Sequence, residues 1–210
     1  GSIIGPLLGS GLVLVAGVVI AIAIALAWRR IDLPALHAWA AQLNGVVVFA
    51  AITLLPMVGF PVSVLHVVAG VRFGTGLGLA LATVSILLQL LASYALVKAA
   101  PQFFERLVEP LRKRLPAATH TSLTQFTLLL PGAPYFAQNY VLPLMGVPFG
   151  IYLGWSFPLH AMRSIVAVVF GHESDRLTPA KIAGFAVYSV AVGLMCAWAF
   201  LRLRRQMKVP

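Results

Sequence analysis

Acidic residues are scarce in this chain: it has five Asp and Glu in 210 residues, against 15 Lys and Arg. All five (Asp32, Glu105, Glu109, Glu173 and Asp175) fall outside its apolar stretches. No carboxylate is therefore placed to carry protons inside a membrane. Cysteine is nearly absent. Cys196 stands alone, so no internal disulfide can form. There is no zinc-ligand spacing, no nucleophile elbow and no phosphate-binding glycine loop opening a soluble helix. No enzyme, metal or cofactor is indicated. Charge is low overall, at 10% of residues, where a soluble domain carries roughly a quarter.

What the chain has is hydrophobicity, at 60% of residues with a mean hydropathy of +0.97. That composition describes an all-α integral membrane protein, residues 1–210 forming a single polytopic domain. The formal net charge of +10 sits mostly between the apolar spans. There it matches anionic lipid headgroups and membrane orientation, not nucleic acid.

Two apolar segments are interrupted in the same way. In residues 45–71 the break is Pro56-Met57-Val58-Gly59-Phe60-Pro61. In residues 119–146 it is Pro131-Gly132-Ala133-Pro134. About ten residues precede each break, roughly 15 Å of helix and half of a hydrocarbon core ~30 Å thick. Proline on both sides of a glycine-containing link stops one helix and starts the next. The pattern predicts two re-entrant hairpins. The alternative is two ordinary spans kinked by proline. Paired interruptions in the two halves of a chain point to a transporter's binding site.

Uninterrupted runs at 7–28, 77–97, 149–170 and 182–201 predict four transmembrane helices. Residues 32–42 suggest a short interfacial helix, and 171–176 a polar loop. Residues 101–115 alternate Phe103, Phe104, Leu107, Val108, Leu111 and Leu115 with charged residues at helical spacing. That is an amphipathic helix in a membrane surface. Gly70, Gly74 and Gly78 share one helix face and predict close packing, here against the first hairpin.

Four spans put both termini on one side, with Lys98, Arg106, Arg112, Lys113, Arg114, Arg202, Arg204, Arg205 and Lys208. Arg29, Arg30, Arg176 and Lys181 lie opposite. The positive-inside rule makes the termini cytoplasmic, in the plasma (inner) membrane if the source is bacterial. The hairpins then enter from opposite faces, as in an inverted-repeat carrier.

Candidate binding residues are few. Arg163 lies deep inside 149–170, where an arginine faces a cavity or a partner, unless it snorkels to the interface. His160 is one turn earlier on the same face, and the two together suit a phosphate or carboxylate. His66 and Arg72 are polar members of the first hairpin, with Ser63. His66 is either a titrating group or a buried imidazole bonded to a helix-end carbonyl. In the second hairpin Gln125, Gln138 and Asn139 are polar, with Asn139 placed to bond across the break.

Pro56-x-x-Gly59-x-Pro61 followed by Ala69-Gly70-x-x-Phe73-Gly74-x-x-x-Gly78 resembles the first signature of the DedA / SNARE-associated Golgi protein (VTT-domain) superfamily. Pro131-x-x-Pro134-Tyr135-x-x-x-Asn139-Tyr140, then Gly146-Val147, is similar to its second. The resemblance covers about residues 40–170. It implies opposed re-entrant hairpins and movement of lipid across the bilayer: polyprenyl phosphate with proton dependence in bacterial members, phospholipid scrambling in eukaryotic relatives. Leu128 and Pro134 stand where family members commonly carry arginine, and Pro143 where a glycine is expected. The acidic residues of the first hairpin are missing. Arg163 and Arg72 are candidates to replace the lost arginines.

The expected function is a flippase- or scramblase-like transporter of a lipid or lipid phosphate, working through a cavity between the hairpin tips. Its expected partners are membrane lipids with anionic headgroups. Proton coupling and homo-oligomerisation are left open. A small-anion carrier and a non-transporting, membrane-organising protein are the alternatives.

Overall fold

The computed structural model describes residues 33–113, 119–130, 133–176 and 178–206. The expected span 7–28, the break residues Pro131 and Gly132, and Arg29, Arg30, Arg114 and Lys208 lie outside the described residues. Every described element is a helix, one of them a 3-10 turn. In order they are α1 (Leu33–Gln42), α2 (Gly45–Leu54), the 3-10 turn (Leu55–Val58), α3 (Val62–Ala99), α4 (Pro101–Arg112), α5 (His120–Leu129), α6 (Tyr135–Leu144), α7 (Phe149–Glu173) and α8 (Pro179–Gln206). Among the described residues, α3 and α7 are long and apolar enough to cross a membrane.

Local chemistry sets the boundaries. Asn44 caps α2, its side chain accepting from the N–H groups of Val46 and Val47. Thr119 caps α5 through Ser122 N–H. Proline stands at the start of five helices: Pro61, Pro134 and Pro148 precede α3, α6 and α7, and Pro101 and Pro179 are the first residues of α4 and α8.

No loop separates the first broken segment from the run 77–97. One 38-residue helix, α3, covers both, interrupted only at Gly74, with φ 73° and ψ −177°. That backbone is open to glycine and strained for any residue with a Cβ. Gly74 is therefore a break within α3, whereas the glycine spacing had suggested a packing position.

The close packing is between α3 and α7. A Cβ on Gly70 would lie 2.0 Å from the Val168 carbonyl oxygen, and one on Gly171 would lie 2.0 Å from that of Val67. The two backbones meet at these glycines. Gly70 thus faces α7, while Gly78 lies against both Val168 and Ala69. The same contact carries α7 through Gly171 to Glu173, into the stretch that had read as a loop. Ser174 closes the helix, its hydroxyl donating to Gly171 O at 2.7 Å.

One core gathers Ile86, Leu90, Leu128, Val141, Leu142 and Tyr152 from α3, α5, α6 and α7. A smaller one joins Val48 and Ile52 of α2 to Leu65 and Ala69 of α3. The amphipathic α4 inserts Phe104, stacked on Tyr140 at 4.6 Å, and leaves Phe103 exposed.

Candidate functional site

Every proline inside or just after a helix strands a carbonyl four residues earlier, because it has no N–H. A stranded carbonyl away from water needs another donor. Pro56 strands Ile52, and Gln89 Nε2 of α3 donates to Ile52 O at 2.6 Å. Gly59 turns the chain out of the helix after Val58 and leaves Met57 O without a helical donor, and the Tyr140 hydroxyl of α6 donates to it at 2.9 Å. Pro143 strands Asn139, and the Tyr152 hydroxyl of α7 reaches Asn139 O at 3.3 Å. Each donor comes from a different element than the carbonyl it serves, so the breaks and the helix packing are fixed together.

The first break touches the start of α6, just after the second. Gly59, with φ 100°, ends the first turn in the left-handed region. A Cβ there would meet the Phe136 ring of α6 at 3.3 Å. Phe136 and Tyr140 thus seat the start of α6 against the first break.

A cavity of about 230 Å³ opens beside this contact. Its lining includes Val62, Ser63 and His66 from the start of α3, Tyr135 and Gln138 from the start of α6, and His160, Arg163 and Ser164 from α7. Neither α3 nor α6 has a side-chain N-cap. Residues at both helix starts line this region, where uncapped N–H groups and helix dipoles carry partial positive charge. Arg163 adds a positive charge, and among the described residues no carboxylate lines the cavity.

Three of the five residues singled out as substrate-binding meet here: His66, His160 and Arg163. His66 is 3% exposed, and its Nε2 has no hydrogen-bond partner. An unpaired polar atom in a buried wall is costly, and the cavity supplies the place for its partner. His160 Nε2 is bonded to Asn139 Oδ1 at 3.2 Å. The amide oxygen can only accept, so it holds the imidazole proton on Nε2. Asn139 thus orients His160 from behind and is absent from the lining. Arg163 Nη2 donates to Leu128 O at 3.0 Å, in the last turn of α5. Comparison with protein-family models, curated proteins and solved structures finds no match to this chain.

Arg72 lies elsewhere. Its Nε donates to the Leu43 carbonyl after α1, and its guanidinium sits over the Phe73 ring at 5.7 Å. Leu43 O has no helical donor there, so Arg72 fastens α1 and α2 to α3. Gln138 lines the cavity and donates to Ala133 O at 3.3 Å.

Two residues of the site had not been singled out. Gln89 is fully buried and is the only amide in 77–97. Tyr152 is fully buried in α7. The signal for Gln89 was its isolation in an apolar run; Tyr152 gave none. Around them, Ser85, Gln89 and Ser93 of α3 and Ser156, His160 and Ser164 of α7 are all buried at four-residue intervals. Such stripes of small and polar residues suit helix contacts in lipid.

Proposed function

We propose that this chain is an integral membrane transporter that moves an anionic lipid or lipid phosphate between bilayer leaflets. The headgroup occupies the cavity at Arg163, and the hydrocarbon tail stays in the lipid. One observation carries this reading: two helix starts without side-chain caps and Arg163 line a cavity that has no carboxylate among the described residues, where the first helix break meets the start of α6. Helix starts and a guanidinium both favour a negative group. Irregular backbone at membrane depth persists only where protein buries it or a cavity adjoins it.

On this reading α2 and the first arm of α3 form one re-entrant hairpin, and α5 with α6 forms the other. The three helices α2, α5 and α6 have 10 residues each, about 15 Å and half of the ~30 Å core. The full spans are α3 beyond Gly74, α7, α8 and the apolar run 7–28. Both termini are cytoplasmic by the positive-inside rule. The hairpins enter from opposite faces and meet at Gly59 and Phe136. The resemblance to the DedA / VTT superfamily, carried by the motifs quoted above, agrees with this arrangement.

The cavity volume favours a second reading. About 230 Å³ holds a free inorganic or carboxylic anion as readily as a headgroup. Reconstitution separates the two. Purified chain in liposomes is assayed with a labelled phospholipid, a polyprenyl phosphate and an entrapped small anion, in parallel. Lipid movement that is lost in Arg163→Ala supports the lipid reading. Anion efflux without lipid movement supports the small-anion carrier. Neither, from folded protein, defeats both.

A further inference from the structure

One side chain joins the two helix breaks. Gln89 Nε2 caps Ile52 O at 2.6 Å, the carbonyl that Pro56 deprives of its helical donor. The Oε1 of the same amide accepts from the Tyr135 hydroxyl at 2.6 Å. Tyr135 is the first residue of α6, directly after the second break. It lines the cavity, and its ring stands against the His160 ring at 4.6 Å. An amide is planar, with its donor and acceptor fixed relative to each other. Rotating it to follow one partner gives up the other.

We propose that Gln89 is a positioning residue that makes the two breaks respond as a unit. A molecule that displaces Tyr135 from the cavity wall turns the Gln89 amide and uncaps Ile52. The first break then loosens. The amides of Leu55, Gly59 and Phe60 donate to the carbonyls of Ala51, Pro56 and Leu55, and these bonds shape that break. They are the groups that report its opening. The inference goes beyond the transport reading and holds whatever the cavity binds. Tyr140 and Tyr152 cap Met57 and Asn139 but do not line the cavity. Tyr152 provides the control, since the carbonyl it serves lies outside the first break.

The test is amide hydrogen exchange on the full chain in nanodiscs, read at residues 54–60. Tyr135→Phe removes only the hydroxyl. It is expected to speed exchange at Leu55, Gly59 and Phe60 about tenfold, the effect of losing one buried hydrogen bond. Gln89→Met, of similar shape, is expected to do the same, and the double variant no more. Pro56→Ala returns an N–H to Ile52 O and is expected to cancel the effect of Gln89→Met. Tyr152→Phe is expected to leave the first break unchanged. If Gln89→Met does not fold, the isosteric Tyr135→Phe, alone and with Pro56→Ala, carries the test. Unchanged exchange in Tyr135→Phe, additive effects of the two variants, or equal acceleration throughout α7 would overturn the proposal.

Discussion

Arg163 Nη2 donates to the carbonyl of Leu128 at 3.0 Å. The guanidinium comes from α7 and serves a carbonyl in the last turn of α5. Arg163→Ala is expected to reduce lipid movement at least tenfold. It is also expected to lower stability by about 1–3 kcal/mol through the unpaired carbonyl. Arg163→Lys keeps the charge but loses the planar fork, so its rate is expected between the two. Translocation rates and denaturation of the three proteins, side by side, check the order.

His66 sets function against stability. Its unpartnered Nε2 is buried in the cavity wall. His66→Leu removes that atom and fills similar space. Stability is expected to rise by about 1 kcal/mol, while transport falls. A thermal midpoint below that of the parent would show that His66 already has a partner in the membrane.

Gly70 and Gly171 fix how closely α3 and α7 approach. An alanine at either would place a methyl 2.0 Å from backbone oxygen, so the helices must separate. Each variant is expected to lose several kcal/mol, as overpacking against rigid backbone does. Gly76→Ala and Gly150→Ala meet nothing within 4 Å. They are expected to be neutral or to gain roughly 0.5–1 kcal/mol. Thermal denaturation in one detergent ranks all four.

Tyr140→Phe removes the donor to Met57 O and the hydrogen-bond partner of the buried Ser93 hydroxyl. A loss of about 1–3 kcal/mol is expected. Pro61→Ala is expected to recover none of it, because Gly59 turns the chain out of the helix before residue 61. A double-mutant cycle checks that the two changes are independent.

The sequence made part of this site legible. A proline names the carbonyl it strands, so Ile52 and Asn139 could be read from Pro56 and Pro143. It does not name the donor. Gln89, Tyr140 and Tyr152 are brought in by tertiary packing from 13 to 83 positions away. The gathering of His66 and Arg163 was likewise visible only as polar residues in apolar runs. Arg72 carried the same signal, yet it serves a carbonyl at the end of α1. Charge in an apolar stretch shows that a partner is needed; it does not distinguish a ligand from backbone. The helix breaks were readable because Pro and Gly act locally. Gly74 was not, since regular four-residue spacing suits a packing face, and the irregularity lies only in its backbone angles.

The central claim is that the cavity between the breaks is the path of transport. Ser63 is exposed on its wall, and Cys196 is the only cysteine to remove. The most direct measurement labels Ser63→Cys, in a Cys196→Ser background, with a bulky, membrane-impermeant thiol reagent in liposomes, then follows lipid translocation. The account predicts that position 63 reacts and that the labelled protein stops moving lipid. A position 63 that resists the reagent from both sides, or a fully labelled protein that transports at the unlabelled rate, would contradict it.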